Sequence, residues 1–407
     1  MLVAVMAAVA MAAACAAPLP TPSAGQTSAT RTSASPSGAA ITTGATPSTP
    51  TPSTPAATTP VPTTPAGSTT LVFSGDLLWH NSLWLSAADD HRRTGKGSTY
   101  DFDPMLASMA PVIASADLAV CHNEVPFARP GQQPAGYPAF RAPREIAAWL
   151  PTVGWDACTA ASNHSLDQGF SGLVDTYSLL KQQGIQPIGT FPTEQARRTP
   201  VIVTTSEGVR VGLVSGTYGT NGIPLPKGRE WSVSMWDADN LLAQAHAARA
   251  AGADIVVVGM HGGDEYVAAP NAAQRALVEK LTASSDVDLV VGEHVHVVQP
   301  ITKVHGKWVV YGMGNMVAQH LSDQPRAYEG MTVRFTFAPT GEEYGVSKAE
   351  YIPTMVTRYG PGRPVRLLRI STSLDEGTGD QAALRTAQAK TRQTVHSMGG
   401  TEDLVEG

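Results

Sequence analysis

Asp254-Ile255-Val256-Val257-Val258-Gly259 is apolar throughout after its first residue, and just beyond it stands His261-Gly262-Gly263-Asp264-Glu265-Tyr266. An unbroken apolar run of strand length suits a sheet covered on both faces. Ahead of it, residues 238–251 predict a helix ended by Gly252, whose lack of a Cβ suits the left-handed turn that stops a helix. After it, residues 272–283 predict a helix, and 288–291 and 308–311 predict further strands. Toward the N-terminus, strands are expected at 71–76, 117–121, 155–160 and 209–215, with a helix at 173–183 stopped by Gly184. Strands alternating with amphipathic helices argue an α/β architecture with helices outside. After Met331 the pattern turns to shorter, strand-rich segments, with a last helix expected over 381–393.

The chain has 407 residues, enough for one large domain with appendages. A net charge of -6 offers no basic face for nucleic acid. Residues 1–14 are almost wholly apolar and end in Ala12-Ala13-Ala14-Cys15. Small residues directly before a cysteine resemble a bacterial lipobox, so residues 1–15 read as a lipoprotein signal with Cys15 as the lipidation site. The alternative is an ordinary secretory signal cleaved in the Ala-rich stretch. A doubly acylated Cys15 would hold the protein on the extracytoplasmic face of the membrane. Residues 16–69 are mostly Ser, Thr, Pro, Ala and Gly and lack the apolar side chains that offset chain ordering, which predicts a disordered stalk. The folded domain is expected over 70–325, with 326–407 adding strands and a helix packed on the same domain. Of the remaining cysteines, Cys121 and Cys158 each sit in an apolar run and read as small buried hydrophobes; a disulfide is the alternative if the protein is exported and their strands are neighbours.

Residues able to bind metal recur at the C-terminal ends of these strands, the edge where α/β sheets build their sites. Gly75-Asp76, His122-Asn123-Glu124, Ser162-Asn163-His164, His261-Gly262-Gly263-Asp264-Glu265 and Gly292-Glu293-His294-Val295-His296 follow successive strands. Asp, Glu, Asn and His suit Mn, Fe or Zn. A His-x-His spacing places both rings on one side if the strand continues through it.

That order resembles the calcineurin-like metallophosphoesterase superfamily, and within it the CapA family of poly-γ-glutamate and capsule synthesis proteins. CapA proteins are expected to show Gly-Asp, Asn-Leu-Glu, Asn-Asn-His-x-x-Asp-x-Gly, His-Trp-Gly-x-Glu-Tyr, Gly-x-His-Pro-His and Tyr-Ser-Leu-Gly-Asn-Phe. This chain has Gly75-Asp76, His122-Asn123-Glu124, Ser162-Asn163-His164-Ser165-Leu166-Asp167-Gln168-Gly169, His261-Gly262-Gly263-Asp264-Glu265-Tyr266, Gly292-Glu293-His294-Val295-His296 and Tyr311-Gly312-Met313-Gly314-Asn315-Met316. The departures are Ser162 for Asn, Gly262 for Trp and Val295 for Pro. Leu78 stands where ordinary calcineurin-like phosphatases carry the histidine of Asp-x-His. His80 and His122 could stand in for that histidine; the other reading of each is a surface or packing residue.

The resemblance implies an αββα sandwich holding two divalent transition metals, Mn, Fe or Zn. It implies that Glu124 bridges them, that Asp76 and His296 complete one shell, and that Asn163, His261 and His294 complete the other. His164 is the candidate general acid. Asp167 either orients His164 or caps the following helix. Glu265, Arg141 and Asn315 are candidates for substrate contact. The function it implies is a metal-dependent hydrolase at the cell envelope, acting on a phosphoester or an amide, with an anionic polymer as the associated substrate and membrane-embedded synthesis machinery as a partner. The alternatives are a non-catalytic assembly factor with a degenerate metal site and a carbohydrate- or phosphate-binding surface lipoprotein.

Overall fold

The computed structural model describes residues 67–320 and 324–407. The signal segment, Cys15 and the stalk up to residue 66 lie outside the described residues. Strands β1 (Thr69–Leu77), β2 (Leu118–Asn123), β3 (Ala157–Thr159) and β4 (Gln186–Ile188) come first. Then come β5 (Ile202–Thr204), β6 (Arg210–Thr217), β7 (Ile255–His261), β8 (Leu289–Glu293), β9 (Ile301–Val304) and β10 (Lys307–Val310). The last are β11 (Asn315–Val317), β12 (Glu329–Thr340), β13 (Glu343–Val356), β14 (Leu367–Arg369) and β15 (Leu404–Glu406). They form two sheets. One runs β14-β13-β12-β1-β2-β3-β4, with β11 on β1 and β15 on β13; the other runs β5-β6-β7-β8-β10-β9.

The apolar runs are unbroken because alternate side chains of each strand enter different cores. Leu71 and Phe73 of β1 meet Val211, Val257, Leu289 and Val291 of the other sheet between the two layers. Val72, Ala119 and Cys158 face outward onto Leu83 and Trp84 of the helix Asn81–Thr94 and Ile146 and Leu150 of the helix Glu145–Val153. On the far side, Val256, Val258 and Val290 pack on Leu241 and Ala245 of the helix Ala238–Ala250 and Leu277 and Leu281 of the helix Ala272–Ala283. Both strand faces are covered, which is the αββα sandwich. The capping box of Asn271 and Gln274 sets the start of that last helix. The helix predicted at 173–183 runs Gly169–Gln182, and that predicted at 381–393 runs Gln381–Val395.

Residues after 325 are part of the first sheet. β12 lies antiparallel to β1, with Thr69 opposite Phe337 and Ser74 opposite Thr332. The first sheet therefore begins at Thr69, inside the segment expected to be stalk. The reading of Cys121 and Cys158 as free apolar side chains is corrected: they form a disulfide. β2 and β3 are parallel neighbours with these two residues in register, and their Cα atoms are 4.5 Å apart. The local sequence of either strand holds no sign of that register.

Candidate metal centre

Gly75 precedes Asp76 because Gly314 approaches β1 so closely that a Cβ at position 75 would stand 2.0 Å from its carbonyl oxygen. That approach lets Asp76 N donate to Gly314 O at 3.0 Å and sets the aspartate at the strand end. His122 lies near the end of β2 opposite Asp76, and Glu124 stands just beyond that strand. His261 ends β7 and Glu293 ends β8 in the other sheet. All five are buried, as are Asn163, His294 and His296 in the loops beyond β3 and β8. The ligand atoms of Glu124, His294 and His296 lie within 4.8 Å of one another, as do those of Asp76, His122 and Glu124, and those of His122, His261 and Glu293. His261 Nε2 is 3.0 Å from Asn163 Oδ1.

The backbone differs from expectation at the His-x-His. The rings of His294 and His296 do not converge by strand alternation, since β8 stops at Glu293. Both histidines instead take left-handed backbone, with φ of 89° and 58°. Such conformations are sparsely populated for non-glycine residues and concentrate at functional sites. His294 N donates to Asp76 Oδ1 at 3.2 Å. His296 Nδ1 lies 2.9 Å from Asp76 Oδ2 and 3.1 Å from Asn315 Oδ1, leaving Nε2 to face Glu124 Oε1 at 3.8 Å.

Whether these residues fit a cation is tested by their unused atoms. Both carboxylate oxygens of Glu124, Nε2 of His122, Nδ1 of His261 and Nδ1 of His294 are buried with no hydrogen-bond partner. Buried polar atoms are almost always satisfied, so this many at one place is unusual. Nitrogen and oxygen donors of this mixture fit divalent Mn, Fe or Zn. Electrostatics agree. Burial lowers His294 to about 3, helped by the charge of His296. Burial lowers His122 to about 4 against the pull of Asp76, and lowers His261 well below its ordinary value. Neutral imidazoles offer lone pairs. Burial raises Glu124 well above the usual carboxylate range. For His296, burial is outweighed by the Glu124 carboxylate and the Asp76 hydrogen bond, which raise it to about 9. Asp76 is lowered: burial pushes it up, but the bond to His296 and the charges of His296 and His122 prevail.

Beside this cluster, His164 Nδ1 is 2.8 Å from Asp167 Oδ2, which also accepts from Phe140 N at 2.8 Å. Asp167 does not cap the next helix, whose N-cap is Gln168 with no side-chain cap bond. Phe140 packs edge-on against His164 at 4.8 Å. Asn221 Oδ1 accepts from Asn163 Nδ2 at 3.1 Å. Tyr218 lies over His294 at 4.6 Å. Tyr266 and His320 pack on the His296 side, with ring centroids 5.9 and 5.1 Å from it.

The candidates for substrate contact separate. Glu265 is exposed, and its charge helps raise Glu124, Tyr218 and Tyr266, so it faces the centre. Arg141 spends its Nε on Gln133 O at 2.6 Å, across the turn where Ala135 pairs with Arg141. Asn315 is fully buried behind His296, and its Nδ2 donates to Ala327 O at 2.8 Å, so it positions the ring and meets no substrate. His122 is fully buried in the cluster, which rules out the surface reading. His80 is half-buried at the rim against Phe140 and His320. Sequence reasoning also missed Thr159, Tyr218, Asn221 and His320, which stand in no motif. Glu293 stood inside a quoted motif without a role. The position of His122 two residues before Glu124 was the one available signal, since alternation puts both on one face.

Gly262 stands where the family resemblance leads one to expect tryptophan. A Cβ there would lie 1.8 Å from Cζ3 of Trp236, so an indole from the loop ahead of the helix Ala238–Ala250 fills that place.

Residues 70–320 match the model of the bacterial capsule synthesis protein PGA_cap family. A probable polyglutamine synthesis accessory protein of Mycobacterium tuberculosis (strain H37Rv) is 31% identical over 174 residues, covering 39% of this chain and 44% of that protein. The PGA biosynthesis protein CapA of Bacillus subtilis is 25% identical over 227 residues, covering 53% of this chain and 57% of that one. The capsule biosynthesis protein CapA of Bacillus anthracis is 30% identical over 169 residues, covering 40% of each. The chain thus spans about half the length of the curated relatives it matches. Among solved structures, the calcineurin-like phosphoesterase YfkN from Bacillus subtilis aligns with a TM-score of 0.43 at 14% identity, covering 81% of this chain and 98% of that one. The family match runs from β1 past β11 and takes in every strand end that feeds the candidate metal centre, so the chain belongs to the bacterial capsule synthesis protein PGA_cap family.

Proposed function

We propose that this protein is a metal-dependent hydrolase of the cell envelope that cleaves a phosphoester or amide bond during synthesis of an anionic, capsule-type polymer. The observation that carries this reading is the set of buried, partnerless ligand atoms on Glu124, His122, His261 and His294 beside the His164–Asp167 pair. Asp76, Glu124, Asn163, His261, His294 and His296 are the residues that would hold one or two divalent cations. When bound, such cations supply Lewis acidity to a developing oxyanion and lower the pKa of a nearby water. His164 then gives its Nε2 proton to the leaving oxygen or nitrogen, while Asp167 holds Nδ1 and keeps the ring oriented. Glu265, at the exposed edge, contacts substrate, and Arg141 would do so with the part of its guanidinium not bound to Gln133. The polymer reading is supported by the family and by the capsule and PGA biosynthesis descriptions of the Bacillus relatives. Anchoring through Cys15 and work beside a membrane-embedded synthesis complex belong to the same proposal.

The test is to load purified protein with Mn, Fe or Zn and assay a phosphodiester and γ-linked glutamate oligomers. Turnover abolished by chelator and by His164→Ala, with metal content kept in the variant, is expected. Bound metal without turnover on either class would replace this reading with a non-catalytic assembly factor, which the absence of a histidine at Leu78 favours.

A further inference from the structure

The superfamily pattern pairs the first-motif aspartate with a histidine two residues on, and this chain has Leu78 there. Leu78 is buried in the helix-side core among Trp79, Leu83 and Phe127. The neighbouring strand places an imidazole beside Asp76 instead. His122 is the register partner of Asp76 across the β1–β2 pair, and its Nε2 lies 3.9 Å from Asp76 Oδ1. We propose that His122 is a metal ligand through Nε2, standing in space for the imidazole missing at position 78, and that Thr159 and Glu293 fix it in the ligating tautomer. This rests on the metal-dependent reading above.

A short chain of hydrogen bonds sets the tautomer. Thr159 Oγ1 lies 2.6 Å from Glu293 Oε1 and 2.9 Å from His122 Nδ1. A hydroxyl has one proton, and the Thr159 hydroxyl gives it to Glu293 Oε1. Thr159 therefore donates to Glu293 and accepts from Nδ1–H of His122. The proton on Nδ1 leaves the lone pair on Nε2, the atom that is buried without a partner. Glu293 Oε2 stands 3.1 Å from the same Nδ1 but makes no hydrogen bond, so the assignment rests on Thr159. A carboxylate behind a histidine is the usual way a ligating ring is oriented and made more basic. The ring of His122 also lies 4.8 Å from that of His261, so it joins the two sides of the cluster. Related sequences are expected to carry Asn at position 122 and no fixed acid at position 293.

The experiment uses the full chain, purified in detergent, as wild type, His122→Ala, His122→Asn and Thr159→Val. Bound metal is counted by elemental analysis, Mn2+ affinity is measured by competition, and the 15N resonance of His122 Nε2 is followed as Zn2+ is added. The wild type is expected to bind cation with a shift of that resonance. Both His122 variants are expected to lose one equivalent or to bind more than tenfold more weakly. Thr159→Val should keep the stoichiometry and weaken affinity by about tenfold. If His122→Ala does not fold, His122→Asn and the wild-type resonance still decide. Unchanged stoichiometry and affinity in the variants, with an unmoved resonance, would overturn the assignment of His122 alone. A wild type that binds no cation would overturn the metal-dependent reading as well.

Discussion

At the residue scale, proton affinities in the cluster are split, and this gives a pH signature. In cation-free protein His296 holds its proton to about 9, so its contribution to stability is complete below pH 6.5 and is lost as pH climbs through 9. Glu124 is raised as well, and its ionisation in the unfolded chain costs stability as pH rises above 4.5. His294 and His122, lowered to about 3 and about 4, cost nothing above pH 6.5 and destabilise as pH falls below it. Chelator-treated protein should therefore show its highest melting temperature near pH 6.5 and a fall on either side. Added Mn2+ should raise the melting temperature more at pH 8 than at pH 6, because ligation displaces those protons. A melting temperature flat in pH and in Mn2+ would contradict this electrostatic account. For turnover, His164→Ala should lower kcat by about 100-fold or more, with bound metal unchanged. Asp167→Asn should lower kcat less, with a shifted pH profile.

At the element scale, the site depends on a few close approaches between strands and loops. Gly262→Ala drives a Cβ into the indole of Trp236 and should cost about 1–3 kcal/mol in urea unfolding. The Cys121–Cys158 bridge closes a separation of 37 residues between β2 and β3, directly ahead of His122. Replacing both cysteines with serine should cost about 3 kcal/mol or more by the loop-closure argument. The elements themselves were legible. Ile255-Val256-Val257-Val258 announced a doubly buried strand, and the helices at 238–250 and 272–283 were bounded by Gly252 and by Asn271 with Gln274. The helices Asn81–Thr94 and Glu145–Val153 were not foreseen. The first has no side-chain cap at His80, and the second has a proline, Pro151, inside it, so both depend on burying Leu83, Trp84, Ile146 and Leu150 against the sheet.

At the scale of the whole molecule, two sheets meet so that β1 and β2 of one bring acid and imidazole to the ends of β7 and β8 of the other. No helix among the described residues is long and apolar enough to cross a membrane. The proposed lipid anchor is tested separately: Cys15→Ser should move the protein from the membrane fraction to the soluble one. Retention in the membrane fraction would show that something other than acylated Cys15 holds it.

The sequence by itself determined the strand and helix order, because burial on both faces of a sheet imposes unbroken apolar runs. It also placed Asp76, Glu124, Asn163, His261, His294 and His296 in motifs at strand ends, the positions that the family resemblance picks out as ligands. The tertiary structure decided the rest. It paired Cys121 with Cys158 through the register of β2 and β3, and it bent His294 and His296 inward by left-handed backbone. It buried Asn315 behind His296, joined Asp167 to His164, and brought His122, Thr159 and Glu293 together from three different strands. The disulfide and the His122–Thr159–Glu293 contact depend on which strands lie side by side and in what register. Contacts between residues 37 to 134 positions apart leave no periodic trace in the local sequence.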